Sequence, residues 1–249
     1  MRIALAMVLT IAAGPLLADQ VADLIAGTLD ECRNCDLRGA NFKRADLSGV
    51  DLTGADLTDA TFHRADLRGA ILEGVTATGT NFNLAELTQA RMAGGNFTRA
   101  MFYGAQMSGA DLSDANLTEA RVQTARLTSA TLAGAVLDRT LLRDAVANNV
   151  DFSAASMQET NLNGARLGRS RFDGATINYA GFVQAEASRA SFADTTISYT
   201  DFYGANLRQA DVAGATLSGN RFTTAATRGV DFDMAEMSGN FMANGRLQN

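Results

Sequence analysis

From Leu37 to Leu247 a large apolar residue returns at every fifth position. Of the 43 positions in this register, 39 are Leu, Ile, Val, Met or Phe; the exceptions are Ala77, Ala147, Ala187 and Thr227. Two residues before each large one sits a small one, alanine in 28 of 43 cases. No insertion or deletion breaks the phase. A period of five suits neither an amphipathic helix, which repeats at about 3.6, nor a strand, which repeats at about 2. A chain that returns an apolar residue inward every five positions must turn a corner every five.

The phenylalanines say how many corners complete a circuit. Phe42, Phe62, Phe82 and Phe102 are spaced by twenty, as are Phe182, Phe202 and Phe222, and Phe152, Phe172 and Phe192, with Phe232 forty further along the same column. Stacked coils favour ladders of like on like. Twenty residues per turn is four sides of five, a square β-helix. Glycine takes the last place of the unit seventeen times, as at Gly39 and Gly54, where a tight corner can demand positive φ. The residue before each large one is often Asp or Asn, as at Asp46, Asp51 and Asp56, and is expected to point into solvent. Residues 35–249 then make roughly eleven coils, a rod about 50 Å long at ~4.8 Å per coil.

The units Ala40-Asn41-Phe42-Lys43-Arg44, Ala45-Asp46-Leu47-Ser48-Gly49 and Ala55-Asp56-Leu57-Thr58-Asp59 resemble the A(D/N)LXX consensus of the pentapeptide repeat family. The resemblance covers about 215 residues. It implies an all-β fold, the right-handed quadrilateral β-helix, and handedness comes from the resemblance alone. Most members of the family have no known catalytic activity. Some resemble a DNA rod in charge and width and shield type II topoisomerases. The opening Cys32-Arg33-Asn34-Cys35-Asp36-Leu37 also resembles the CxxC-Asp-Leu start of some members.

Three segments follow. Residues 1–18 place Arg2 before an apolar run, then Gly14-Pro15 and Ala18, the layout of a secretory signal peptide cleaved near Ala18-Asp19; a buried core helix is the other reading. Cleavage would change the net charge from −6 to −7. With no second long apolar run, no membrane span is expected after it, and Cys32 lies too far from Ala18 for lipid anchoring. The expected location is periplasmic or secreted. Residues 19–34 place Val21, Leu24, Ile25 and Leu29 at helical spacing with Asp19 as a possible N-cap, a short helix laid over the first coil of the 35–249 rod.

Cys32 falls in the large register and Cys35 in the small one, so both are expected to face inward. A disulfide is the default in an exported protein, and a redox pair or metal site the alternative. Chemistry is otherwise scarce. His63 is the only histidine, so no multi-histidine metal site and no triad without it can be built. No cofactor is implied, and an acidic balance argues against direct nucleic-acid binding.

Candidate surfaces are of three kinds. Val136, Leu141 and Val146 occupy outward positions on successive sides of one coil. Tyr179 and Tyr199 should stack at one corner, with Tyr203 and Val183 just beyond. Either group could mark a partner surface or merely reflect β-propensity. Arg121, Arg126, Arg139 and Arg143 form a band interspersed with Asp138 and Asp144, as a solvated face would. At the far end Met237, Phe241, Met242 and Leu247 form an uncovered coil, which either pairs with a second copy or frays. The sequence supports an exported, non-enzymatic scaffold for an unknown protein or envelope partner, with topoisomerase-shielding DNA mimicry as the alternative.

Overall fold

The computed structural model describes residues 17–248. Outward residues pair in parallel with those twenty positions on, from Glu31 with Asp51 to Arg221 with Phe241. The continuous sheet within this register covers only about four turns of one side, against the eleven coils expected for the rod. Its strands are β1 (Ser156–Gln158), β2 (Thr176–Asn178), β3 (Thr196–Ser198), β4 (Thr216–Ser218) and β5 (Glu236–Ser238). Elsewhere the sides pair through single bridges.

Each unit uses its backbone donors in a fixed order. The large residue donates forward to the next coil, as Phe42 N–H does to Thr61 O at 2.7 Å. The outward residue donates backward, as Thr61 N–H does to Ala40 O at 2.8 Å. The small residue closes its own corner, Ala65 N–H to Phe62 O at 3.0 Å, and the residue before it donates forward, Arg44 N–H to His63 O at 3.0 Å. That leaves the first corner residue. Its N–H goes to the carboxylate or amide oxygen two residues earlier: Thr53 N–H to Asp51 Oδ1 at 2.9 Å, Thr98 N–H to Asn96 Oδ1 at 3.1 Å. The Asp and Asn expected to be merely solvated are therefore corner caps, since a backbone donor without a partner is costly.

At four corners where the outward residue does not cap, a side chain of the preceding coil does so instead. Met101, Ser156, Arg166 and Gly181 are followed by N–H groups bound by Asn83, Asp138, Asn148 and Asn163, each twenty residues before its donor, at 2.8–3.1 Å. Left-handed backbone sits at the corner's second residue, with φ near +60° whether or not the residue is glycine. Gly134 needs its lack of a Cβ for a second reason: that atom would lie 2.2 Å from Asp114 Oδ1 of the coil before.

The core is one continuous cluster of large and small columns. Phe42, Phe62, Phe82 and Phe102 stack with ring centroids 4.9, 5.1 and 5.0 Å apart, and Phe152, Phe172 and Phe192 at 4.9 and 4.8 Å. Neighbouring columns meet edge to face, as Phe172 and Phe182 do at 5.9 Å. One alanine column turns polar towards the C-terminus. There Asn220 Oδ1 accepts from Thr200 N–H at 2.8 Å and Asn240 Oδ1 from Asn220 N–H at 2.9 Å, while each Nδ2 donates to a carbonyl, Ile197 or Leu217. These side chains replace the usual corner-closing bond, and the chain before them stays extended as β3 to β5.

Both ends depart from expectation. Helix α1 runs Leu17–Ala26, so it starts two residues before the expected boundary, and Asp19 lies in its first turn rather than at its N-cap. Leu24 is buried, and Val21 and Leu29 pack partly on the core, but Ile25 is 47% exposed. One residue is about 100° round a helix, so Leu24 and Ile25 cannot both face a flat coil end. The rest of the expected leader, residues 1–16, lies outside the described residues. At the other end a 3₁₀ turn, Phe232–Met234, replaces one corner. The chain then doubles back, with Phe241 antiparallel to Leu247 and Gln248 N–H bound to Asn240 O at 2.8 Å. Asn244 and Gly245 make this reversal, with Gly245 at φ 75°. Leu247 is thus outside the inward column in which its spacing placed it.

Three substitutions test this account by thermal and urea denaturation. Phe62→Ala is expected to cost about 3–5 kcal/mol by opening a cavity within a fully packed column, and Phe241→Ala no more than about 0.5. Asn83→Ala should cost about 1 kcal/mol by orphaning the Tyr103 N–H; a neutral result would mean the cap contributes nothing.

Candidate interaction surface

The inward positions are occupied by packing, so any recognition falls to corners and outward positions. Among the described residues, no group of three His, Cys, Asp or Glu side chains could hold a metal ion. No helix there is long and apolar enough to cross a membrane.

Tyr179 and Tyr199 do come together. Their rings stack at 5.1 Å, inclined by 12°, and each side chain is 58% exposed. Tyr199 lies flat because Gly219 is beside it in the next coil; a Cβ there would be 2.8 Å from the ring. Tyr203 stands at the opposite corner of the adjoining side, 40% exposed, with the Arg221 guanidinium 4.9 Å from its ring centre. Arg221 is also bound to Asp201. The side carrying Gly181, Asp201 and Arg221 is thus framed by tyrosine at both edges, a distribution common at protein-binding surfaces.

Other expected surfaces separate. Val136, Leu141 and Val146 pair on three different sides and are only half-buried, so they do not form one patch. Consecutive sides of a square face directions about a right angle apart, and a flat partner cannot cover all three. Within the arginine band, Arg139 pairs with Glu119 at 3.1 Å and Arg143 with Asp144 at 3.4 Å, whereas Arg121 and Arg126 lie on adjacent sides. At the C-terminal end Met237 and Met242 are half-buried, while Phe241 and Leu247 are 47% and 53% exposed. Met234, 59% exposed, and Tyr103, 54% exposed, were not singled out by sequence. An apolar or aromatic residue at a corner position is the pattern that marks both.

Cys32 and Cys35 are joined as a disulfide, Cys32 buried and Cys35 half-buried rather than fully inward. It lies at the mouth of the rod beside Gln20, Asp23 and Leu29.

Acidic side chains of the first coils are compensated locally. The Arg38 side chain holds Asp36 down to about 2, and Arg38 lies 2.5 Å from Asp36 and 3.7 Å from Asp56. The Thr53 hydroxyl lowers the Asp51 carboxyl and Arg68 lowers Asp66. Their surface potential is correspondingly weaker than the count of acids suggests.

Comparison with known proteins agrees with the geometry. The family described as pentapeptide repeats matches in eight copies, over residues 35–74, 80–118, 125–164, 151–192, 188–223 and 200–239. No curated protein matches the sequence. Among solved structures, HetL, a pentapeptide repeat protein involved in heterocyst differentiation regulation from the cyanobacterium Nostoc, is similar with TM-score 0.75 and 26% identity, over 92% of this chain and 98% of that one. A trypsin-treated form of QnrB1, a plasmid-mediated fluoroquinolone resistance protein, has TM-score 0.52 and 16% identity, over 74% of this chain and 90% of that one, a likeness of fold.

The lowered carboxyls set the acid response. Each contributes stability above its unfolded value near 3.8 and loses it as pH falls through the depressed folded value, which for Asp36 is about 2. Melting temperature should therefore fall between about pH 4 and 2. Thr53→Val is expected to lower it at pH 7 and to have a diminishing effect as acid protonates Asp51; an effect independent of pH would contradict the assignment.

Proposed function

Since this chain belongs to the pentapeptide repeat family and forms its right-handed quadrilateral β-helix, we propose that it serves as an exported scaffold whose rigid surface holds a protein or other envelope partner. It is not an enzyme; the family and its structural neighbours are non-enzymatic repeat scaffolds. The observation that carries the scaffold reading is the tyrosine-framed side, where exposed rings are pre-stacked and cost little to order on binding.

Export is supported by the charge and apolar pattern of residues 1–18 and by the disulfide, which suits an oxidising compartment. The exposed Phe241, Leu247 and Met234 favour self-association through the C-terminal end. Topoisomerase shielding by DNA mimicry is the weaker reading. A net charge of −6 is sparse beside one phosphate per ~1.7 Å of duplex, and the first acids are already paired with arginine.

Cell fractionation with N-terminal sequencing decides between the two. A mature chain beginning at Asp19 in the envelope fraction is expected; an intact Met1 in the cytoplasm would sink the export reading and revive mimicry. Light scattering at tens of micromolar should give a dimer mass that Phe241→Asp converts to a monomer. A monomeric parent would refute the self-association.

A further inference from the structure

One corner of the rod carries charge of a single sign. It follows the side that bears Arg166, Glu186 and Asn206, and from Asn148 to Gly229 it consists of ten residues in five successive coils. Arg169 and Arg189 take its left-handed position, Arg208 and Arg228 the position before it, and no acid occurs among the ten. All four arginines are exposed, as is Arg166 on the adjoining side. None of the five takes part in the ion pairs found among the described residues. Arg189 Nε donates to Gln209 Oε1 at 2.9 Å, a neutral partner that leaves its charge uncompensated. The nearest acids are on the flanking sides and bind neutral donors, Glu186 the Asn206 amide and Asp211 the Ala213 N–H, and neither forms an ion pair with these arginines. In the first coils the same corner carries one arginine, Arg68, and Asp66 neutralises it.

Between the arginines lies an open depression of about 210 Å³ lined by Asn148, Asn149, Gly168, Arg169, Ser188 and Arg189. Its floor is low because Gly168 has no side chain, and its walls offer neutral amides and a hydroxyl beside the guanidinium groups.

We propose that this corner binds a linear acidic polysaccharide carrying one carboxylate per sugar. The inference rests on the reading of the chain as a binding rod and names the class of partner. Charge complementarity selects an anion, and the arrangement of the cations selects an extended one. Coils repeat at ~4.8 Å, so the four arginines offer a line of separated cations along one corner to a polyanion whose carboxylates are likewise separated along its length. The planar guanidinium fork matches a carboxylate, and Asn148, Asn149 and Ser188 supply donors and acceptors for sugar hydroxyls. Duplex DNA, with one charge per ~1.7 Å, presents far more phosphates than this corner has cations, and the negative remainder of the rod repels it.

The test titrates the full chain with a fluorescently labelled galacturonate oligomer at low salt and follows anisotropy. Saturable binding is expected, weakened by added salt and lost when the oligomer is fully methyl-esterified. Arg169→Gln/Arg189→Gln and Arg208→Gln/Arg228→Gln should each weaken it roughly tenfold or more, as loss of two charge-assisted contacts implies. Arg38→Gln, at the other end, should leave it unchanged. These side chains are exposed, and an unchanged melting temperature will confirm that the variants fold. Absence of saturable binding, equal binding by the variants, or tighter binding of duplex DNA or phosphatidylglycerol vesicles through the same arginines would overturn the proposal. If an envelope location and an N-terminus at Asp19 hold while the oligomer fails to bind, the ligand class falls and the scaffold reading stands.

Discussion

The rod depends on the backbone ladder that places the N–H groups of each coil on carbonyls of the neighbouring coils and of its own corners. Four of the five donors in each unit are placed by the coil geometry itself. The fifth, at the first corner residue, is not; at many corners Asp or Asn side chains take it, from the same unit at Thr53 and from the previous coil at Tyr103, and at the rest it is left to solvent. Leaving such a group unmet costs about 1–3 kcal/mol when it is shielded from water, and the demand recurs along the rod. The corner residues lie at the surface, where water meets the uncapped donors, so the caps add to a stability that the ladder and the core supply.

The same corner explains why glycine is common but not obligatory. Left-handed backbone costs a non-glycine residue about 1–2 kcal/mol, yet glycine loses about 0.4–1 kcal/mol more entropy on folding. The two nearly balance, so residues as different as Arg44, Leu84 and Tyr199 occupy that position at φ 60°, 59° and 50°. Contact with the next coil then decides some sites. Where Asp114 folds over the following corner, a Cβ would displace its carboxylate, and Gly134 is there.

What the sequence shows well is whatever repeats. Period five and the twenty-residue aromatic columns led to a square rod, and Phe42 and Phe62 do touch. Local exceptions were harder to read because they arise from contacts twenty residues apart. Asn83 looks like an ordinary corner residue until Met101 is seen to need a substitute cap in the next coil. Ile25 matched a helical stripe, but a flat coil end accepts a narrower face than a groove would, and only Leu24 fits fully. Leu247 kept the period in sequence while Asn244-Gly245 reversed the chain before it. Val136, Leu141 and Val146 lie on the successive sides read for them and so share no face, whereas Tyr179 and Tyr199 stack because a separation of twenty brings residues together.

Stacking has an electrostatic consequence that separates the two halves of the rod. Like residues in successive coils sit about one interstrand spacing apart, and like charges at about 4 Å repel by about 1 kcal/mol in bulk water before salt screening. The N-terminal acids avoid this through arginines placed between them: Arg38 contacts Asp36 and Asp56 together, and Arg33 contacts Asp51 as well as Glu31. The C-terminal arginine corner has no such insertion, although the five-residue unit could place an acid there as readily as it does elsewhere. Folding alone gains nothing from aligned, unneutralised guanidinium groups. Binding of an external polyanion would relieve their repulsion.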